Sequence, residues 1–316
     1  MTTANVPPDE KAPPPTLEEV SPGIFAYIQL DGSWGLNNPS FLVGQNGVTA
    51  VDSSSTERRS RDFLSAIERT SEQPVSTLIN THHHLDHTFG NFVFGPEVTI
   101  VGHEACREEI LNEAPTILDT AKQLFPWVEW GNIEVVAPSL TFEDRLTLYL
   151  DDLELECIFM GPAHTTNDVV VWIPARRVLI TGDIIFHLGT PFALQGSVAG
   201  WLTALDRIRE LGAERIIPGH GPVCGPEVID DVAAYLRFVQ ERARAGFEAG
   251  AKPLEVAKDS DLGRFAEWTD RERIVGNLYR AYSELRGEAA GRPLDLALAW
   301  PDMIEYNGGK PLRCLA

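Results

Sequence analysis

The sequence predicts an α+β fold in which two β-sheets pack together with helices outside, followed by a helical C-terminal extension. Two observations predict it. The chain has two halves in which short β-rich runs are followed by a helix, and the residues beyond Gly225 have a helical pattern. Sheets and helices with one apolar face must bury those faces against each other. We therefore expect a flexible tail at 1–20, a two-sheet domain at 21–225, and a helical extension packed on the core at 226–316.

The first half begins with a polar segment and continues with short strands. Residues 1–18 are rich in proline and charge, which is typical of a disordered tail. Strands are predicted for three β-rich runs, at 24–28, 40–43 and 48–51. The dipeptide Asn46-Gly47 between the second and third runs is a strong hairpin signal. The third run ends in an acidic residue, Asp52.

The rest of the first half alternates helix and strand. Residues 56–70 place Phe63, Leu64 and Ile67 on one helical face. Further elements are predicted in the order strand 75–80, strand 98–101 and helix 104–111. Residues 115–138 combine aromatic with polar residues, and we predict a helix followed by a loop there.

The second half repeats this order. Strands are predicted in two pairs, at 146–150 with 153–160 and at 169–173 with 178–181. They are followed by an amphipathic helix at 197–211, capped by Gly212, and by a short strand at 215–217.

Beyond Gly225 the apolar residues recur at helical spacing. Pro226 suits a first helical position, and Val228, Val232 and Leu236 lie on one face. A later helix is predicted at 270–285, since residues 269–272 fit a capping box. These helices could form a lid or a homodimer surface.

Composition and charge restrict the classes of function. The chain has 316 residues, a formal net charge of −20 and 43% hydrophobic residues, enough for a real core. Lysine and arginine do not form the cluster that a nucleic-acid partner would need. No apolar stretch approaches the roughly 20 residues that span a bilayer. We therefore expect a small-molecule substrate, with neither nucleic acid nor membrane as partner.

The four cysteines indicate a reducing compartment. They form no CxxC pair, and residues 1–11 carry no apolar run typical of a signal peptide. We therefore expect free thiols and a cytoplasmic protein.

Residues 81–87 contain four of the eight histidines and one aspartate, directly after the strand predicted at 75–80. Side chains two apart on an extended backbone point the same way, so His82 and His84 can face one point. Asp86 and His87 follow where the chain bends into the next element. Because imidazole and carboxylate groups bind zinc, iron or manganese, the cluster predicts a metal site. A histidine-rich surface turn is the alternative.

Three further polar residues follow strands in the second half. His164, Asp183 and His220 each come after a predicted strand, beside or near glycine or proline. A loop at a strand end can hold such a side chain against a shared cleft. A lone histidine in this position is usually satisfied by a backbone carbonyl. Three such residues together with the histidine cluster favour the metal site over the surface turn.

This order, His-x-His-x-Asp-His with a later His, Asp and His, resembles the metallo-β-lactamase superfamily. The resemblance runs from about residue 23 to 225, and all seven ligand positions are present. It implies an αββα sandwich with two metal ions at one edge. It also implies a first metal held by His82, His84 and His164, a second held by Asp86, His87 and His220, and Asp183 bridging them.

The resemblance further implies a binuclear metallohydrolase. Its cofactors would be two divalent ions, with zinc expected first and iron or manganese as alternatives. Two cations about 3.5–4 Å apart can share a hydroxide that attacks a substrate carbonyl, while the second metal stabilises the leaving group. Asp86 and Asp183 are the candidate catalytic residues. Asp86 could steer the proton of the nucleophilic water in addition to binding metal.

Other residues near the ligands are candidates for supporting roles. Asp52 resembles the acid that orients a ligand histidine in this family, with an ordinary turn residue as the alternative. His187 could contact substrate or be an ordinary loop histidine, and His83 is expected to be structural. Five aromatic residues could line an apolar pocket or belong to the core, namely Trp34, Phe125, Trp127, Trp130 and Phe192.

The fold alone does not determine the substrate. We expect hydrolysis of an ester, thioester, lactone or amide bond of a small molecule. True β-lactamases of the related type generally lack the bridging acid, whereas this sequence has Asp183 at that position. This difference weakens β-lactam hydrolysis as the main activity. The alternatives are a non-haem iron oxygenase or a phosphodiesterase on the same fold. A non-catalytic binding protein with a relict site is disfavoured because no ligand is missing.

Overall fold

The computed structural model describes residues 11–294 and 296–316, and within them twelve strands form two sheets. The first sheet contains Thr16–Ser21 (β1), Ile24–Ile28 (β2), Ser40–Val43 (β3), Val48–Val51 (β4), Val75–Ile79 (β5), Thr99–His103 (β6) and Leu140–Phe142 (β7). The second contains Arg145–Leu150 (β8), Leu153–Phe159 (β9), Val169–Ile173 (β10), Val178–Ile180 (β11) and Arg215–Ile217 (β12). Both sheets keep the strands in chain order, from β1 to β7 and from β8 to β12.

Helices connect the strands and follow them. In the described residues they are Glu57–Thr70 (α1), Leu85–Thr88 (α2), Glu104–Leu124 (α3), Val198–Leu211 (α4), Val228–Glu248 (α5), Pro253–Lys258 (α6), Arg273–Leu285 (α7) and Leu296–Tyr306 (α8). Short 3₁₀ turns lie at Asn91–Phe94, Pro174–Arg176, Gly182–Ile184 and Gly263–Glu267. None of these helices is both long and apolar enough to cross a membrane.

The alternation of side chains along the strands explains why the sheets pack together. In β10, Val169 and Val171 point into an apolar layer that also contains Ile28 and Val51 from the first sheet. Their neighbour Val170 points the other way, into the layer beneath the helices. The inner faces of both sheets therefore form one core, as in other face-to-face sheet packings.

Helices cover both outer faces of this pair of sheets. On the first sheet, α1 buries Phe63, Ala66 and Ile67 against the outward side chains of the strands. On the second sheet, α4, α5 and α7 contribute to one apolar cluster with the outward residues of β9 to β12. The layers therefore run helix, sheet, sheet, helix, as the αββα prediction requires.

Parallel strands bring chemically important loops to one edge. Strands β4, β5 and β6 pair in parallel, and so do β11 and β12. The chain leaves the carboxyl ends of four of these strands directly into loops that carry Asp52, His82, Asp183 and His220. Carboxyl ends of parallel strands are the usual place for ligand sites in sheets covered by helices.

The expected tail is wrong over residues 16–20. These residues form most of β1, which pairs antiparallel with β2 at the edge of the first sheet. Val20 packs against the core between the sheets, whereas Leu17 is exposed, so little apolar pattern announces this strand. Residues 11–15 form neither helix nor strand, and residues 1–10 of the expected tail lie outside the described residues.

Two helix boundaries also differ from expectation. The helix predicted at 104–111 continues as α3 through Pro115 to Leu124. The capping box predicted at 269–272 is wrong, because α7 begins at Arg273 and its cap residue makes no side-chain hydrogen bond. Asp270 has a left-handed backbone (φ 55°), which an α-helical turn cannot contain.

The residues of the C-terminal extension contact the two-sheet domain. Trp34 donates a hydrogen bond from Nε1 to Glu272 Oε1 over 2.8 Å, and its ring centroid lies 5.5 Å from that of Trp300. Arg280 is fully buried and donates to the carbonyl oxygens of Leu194 and Arg292. The four cysteines are buried free thiols.

Phe63 offers a test of the packing beneath α1. It is fully buried between the helix and the first sheet. We expect Phe63→Ala to lower the free energy of unfolding by about 3–5 kcal/mol, because the change removes buried apolar surface and leaves a cavity. Urea denaturation measures this change. Leu64→Ala, at the half-buried next position, should cost clearly less, and an equal cost would contradict this account of the layer.

Candidate metal centre

Seven predicted ligands converge at the edge where the strands end. The structure places His82, His84, His164 and Asp183 in one group of possible metal donors, and Asp86, His87 and His220 in a second. Within each group the donor atoms lie within 4.8 Å of one another. The resemblance assigned the same three histidines to the first metal. The bridging role of Asp183 stays a prediction, although its carboxylate lies between the two groups.

Outer hydrogen bonds orient the histidine rings. Nδ1 of His164 lies 2.5 Å from Phe192 O, and Nδ1 of His220 lies 3.0 Å from Gly32 O. A carbonyl oxygen can only accept, so Nδ1 carries a proton in both rings, and Nε2 of a neutral ring presents a lone pair to the centre. Such outer bonds are the usual way in which proteins fix metal-binding imidazoles.

His84 is oriented in the opposite sense by a glutamine. Its Nε2 lies 2.7 Å from Oε1 of Gln195, whose own amide nitrogen lies 3.3 Å from Glu113 Oε2 on α3. Nδ1 of His84 therefore faces the centre, where it lies 2.8 Å from Nε2 of His164. The sequence pattern did not single out Gln195, because a glutamine in a loop carries no metal-site signature.

Asp52 connects the histidine segment to the end of β4. It accepts hydrogen bonds from Thr81 N and Thr81 Oγ1, both at 2.7 Å, and its Oδ2 lies 2.8 Å from Nδ1 of His87. Thr81 Oγ1 in turn lies 3.0 Å from Nδ1 of His82. One buried carboxylate therefore orients two candidate ligand histidines, His87 directly and His82 through Thr81. The resemblance implied that Asp52 orients a ligand histidine.

The donor atoms leave unmet bonding capacity that a cation would satisfy. Nε2 of His82 is buried without a hydrogen-bond partner, and Nε2 of His87 and Oδ1 of Asp183 lie 3.1 Å apart without the geometry of a hydrogen bond. The facing nitrogens of His84 and His164 both carry lone pairs, because their other ring nitrogens hold the protons. Lone pairs 2.8 Å apart repel unless a positive charge lies beside them. Since buried polar atoms are normally satisfied, these residues fit divalent metal ions.

Burial and charge set the protonation of the cluster. Burial lowers the pKa of His82, His84 and His164 below the ordinary histidine value, so these rings are neutral near pH 7 and available as ligands. Burial also disfavours charge on His220, but Asp183 and Asp86 raise its pKa to about 9. Burial alone would raise the pKa of Asp183. The neighbouring histidines, His220 first, hold it well below its usual range.

Gly219 permits the close packing around Asp183. A Cβ at this position would overlap Oδ1 of Asp183 and crowd the backbone of Gly182. Gly182 itself has φ 48°, a left-handed conformation that favours glycine. The loops after β11 and β12 can therefore approach each other only with glycine at these places.

A pocket of about 430 Å³ opens from the donor groups. Five of the seven candidate ligands line it and form its floor, namely His84, Asp86, His164, Asp183 and His220. Four of the five aromatic residues singled out in the sequence line it, namely Trp34, Phe125, Trp130 and Phe192. Its volume lies within the roughly 300–1,000 Å³ of small-molecule sites.

Other singled-out residues lie elsewhere. Trp127 donates from Nε1 to Cys314 O and is not among the pocket residues. His187 also lies outside the pocket lining, with Nδ1 2.8 Å from Pro222 O, so its substrate contact stays a prediction without geometric support. His83 contacts Asn167 and belongs to neither donor group, in keeping with a structural role. The sequence reading missed Arg273 and Trp300, which reach the pocket from the extension.

Known proteins match the chain in sequence. The sequence model of the metallo-beta-lactamase superfamily matches residues 32–220. The linear primary-alkylsulfatase of Pseudomonas sp. (strain ATCC 19151) is 23% identical over 300 residues, covering 81% of this chain and 57% of that protein. The 2,4-dinitroanisole O-demethylase subunit alpha of Nocardioides sp. (strain JS1661) is 28% identical over 182 residues, covering 57% of this chain and 51% of that protein. The chain thus spans about half the length of these two relatives.

A solved structure matches the fold. The metallo-beta-lactamase from Pontibacter korlensis aligns with a TM-score of 0.57 at 19% identity, covering 71% of this chain and 99% of that one. This likeness confirms the predicted metallo-β-lactamase fold. Because the superfamily's sequence model matches more than half of the residues, this chain belongs to the metallo-beta-lactamase superfamily.

Proposed function

We propose that this protein is a metal-dependent hydrolase that cleaves an ester, thioester, lactone or amide bond of a small molecule. One observation carries the proposal. Two donor groups with buried, unpartnered ligand atoms meet at Asp183 and form the floor of a pocket of small-molecule size. A binding protein with a relict site would not need such a complete donor set beside a pocket.

The donor set suits two divalent ions, and we expect zinc at both positions. Imidazole and carboxylate are common zinc ligands, and iron or manganese accept the same groups. When bound, two such ions supply an activated water and a Lewis acid for the substrate's carbonyl oxygen. Such a centre cleaves a bond with water, whereas an iron oxygenase would use its metal to react with oxygen. The proposed hydrolase therefore differs from an oxygenase in the reaction, even if both bind iron.

The carboxylates have distinct places in the proposed reaction. Asp183 lies between the donor groups, with Oδ1 3.1 Å from Nε2 of His87 and Oδ2 3.3 Å from Nε2 of both His164 and His220. Asp86 lines the pocket, with Oδ2 3.3 Å from Nε2 of His220. We propose that Asp86 accepts a proton from the attacking water in addition to binding metal.

Sulfate esters are a second candidate substrate class. The relative named for alkyl sulfates aligns with 81% of this chain, so the similarity extends beyond the superfamily's matched region. A phosphodiester of nucleic acid remains disfavoured by the acidic composition. We expect the protein to act in the cytoplasm on a small molecule, and a homodimer stays a prediction.

Metal analysis tests the centre directly. We expect the purified protein to carry close to two transition-metal ions per chain, because both donor groups are complete. Asp183→Ala should lose metal and activity together, since its carboxylate faces both groups. Asp206→Ala, an exposed position on α4, is the matched control and should keep both. Wild-type protein that binds no metal, and gains no rate from added zinc, iron or manganese, would contradict the proposal.

Asp52→Asn tests how the ligands are oriented. The amide keeps the size of the side chain and tolerates its left-handed backbone (φ 59°), but its NH₂ group cannot accept a hydrogen bond. We expect metal affinity to fall by about 10–100-fold, as for other outer partners of metal ligands. Competition with a chromogenic chelator measures the affinity. Asp151→Asn, also at a left-handed position (φ 53°) but in a surface hairpin, should leave it unchanged.

A substrate panel tests the reaction. The metal-loaded protein should hydrolyse at least one member of a set of lactones, thioesters, carboxylic esters and alkyl sulfates faster than β-lactams or phosphodiesters. Product formation measured with and without a chelator gives the metal-dependent rate. Turnover of phosphodiesters alone would replace the proposed substrate class, and turnover of β-lactams alone would narrow it to cyclic amides.

A further inference from the structure

We infer that the pocket binds an uncharged alkyl or aryl body of the substrate, while the bond to be cleaved lies at the metal centre. This inference names the substrate class of the site and rests on the proposed function. It comes from the walls of the pocket, from their charge, and from the position of the metal donors at its floor.

The walls of the pocket are apolar on two sides. One side is the face of α3 that carries Ile117, Ala121 and Leu124, with Thr116 and Thr120 beside them and the polar residues Asn112 and Glu113 one turn earlier. The other is a cluster of three aromatic rings, with centroid distances of 5.1 Å from Trp34 to Phe192, 5.5 Å from Trp34 to Trp300 and 6.2 Å from Phe192 to Trp300. A molecule that reaches the donors at the floor must place the rest of its length between these walls.

The charges of the pocket disfavour an anionic body. Among the lining residues, all in the described part of the chain, Arg273 is the one arginine or lysine. Its guanidinium is paired with Asp270 at 2.8 Å, donates to Thr190 O at 3.0 Å, and lies 4.1 Å from the centroid of the Trp34 ring. Glu113 adds a carboxylate at the pocket. An anionic group on the body of the substrate would therefore meet no unpaired arginine or lysine among the lining residues described here. Glu113 would also repel it.

The length of the ligand's alkyl tail is the variable that tests this inference. Each methylene buried between apolar walls should tighten binding about fourfold until the pocket is full. Suitable probes are alkyl hydroxamic acids from acetyl to octanoyl, whose head group binds metal and whose tail varies. Calorimetry on the zinc-loaded protein gives their Kd. An acid of equal length that ends in a carboxylate should bind at least tenfold more weakly than its methyl-ended partner.

A pair of tryptophan substitutions on α3 localises the effect. Thr120 lines the pocket, and its hydroxyl bonds only within the helix, to Thr116 O, among the contacts described. Thr120→Trp should fill the pocket between the two walls, so that Kd no longer falls as the alkyl tail lengthens. Gln123→Trp adds the same ring at an exposed position outside the pocket lining, and its Kd should still fall as the alkyl tail lengthens. Should Thr120→Trp not fold, Leu124→Ala removes part of the same wall and should weaken octanoyl binding more than acetyl binding.

The outcomes separate this inference from the proposed hydrolysis. Hydrolysis of p-nitrophenyl esters from acetate to octanoate is measured on the same proteins. A Kd that falls with chain length in wild type and Gln123→Trp, but not in Thr120→Trp, supports the inference even when no ester is cleaved, in which case hydrolysis is the idea that fails. A Kd independent of chain length, or tighter binding of the carboxylate-ended acid, overturns the inference even when esters are cleaved.

Discussion

The buried carboxylate of Asp183 is the constraint on which the rest of the structure depends. An ionised carboxylate away from water is costly unless charged or polar partners surround it. Its partners here are imidazole nitrogens from three separate segments, at 3.1 Å from His87 and at 3.3 Å from His164 and His220. These segments follow strands of both sheets. The apolar layer between the sheets must therefore hold them in one relative position for the carboxylate to be compensated.

The convergence of the candidate ligands could be predicted from the sequence because their signal is local. Each of His82, Asp183 and His220 comes within a few residues of a strand that is visible as a β-rich run. The residues that orient the ligands could not be predicted in the same way. Gln195 reaches His84 across 111 positions, and the partners of His164 and His220 are backbone carbonyls, which have no side-chain signature.

The fold was predictable to the same extent, and for the same reason. Ten of the twelve strands in the described residues were found, whereas β1 and β7 were missed. Few apolar residues of β1 are buried, and β7 has three residues, so neither has a clear pattern of its own. Helix α3 passes through Pro115, which normally ends a helix. Buried residues on both sides of it, Ile110 and Ala121 among them, hold the helix in place. Such tertiary contacts override local propensity and are invisible before the chain is folded.

Gly219 shows how much a site can depend on an atom that is absent. No donor, charge or hydrogen-bonding side chain belongs to this residue, yet any Cβ there would occupy the space that Oδ1 of Asp183 fills. The requirement is purely one of volume, so all nineteen alternatives fail in the same way, whatever their chemistry. An engineer who transplanted only the seven donors onto another scaffold would carry over the ligands without the room in which they meet.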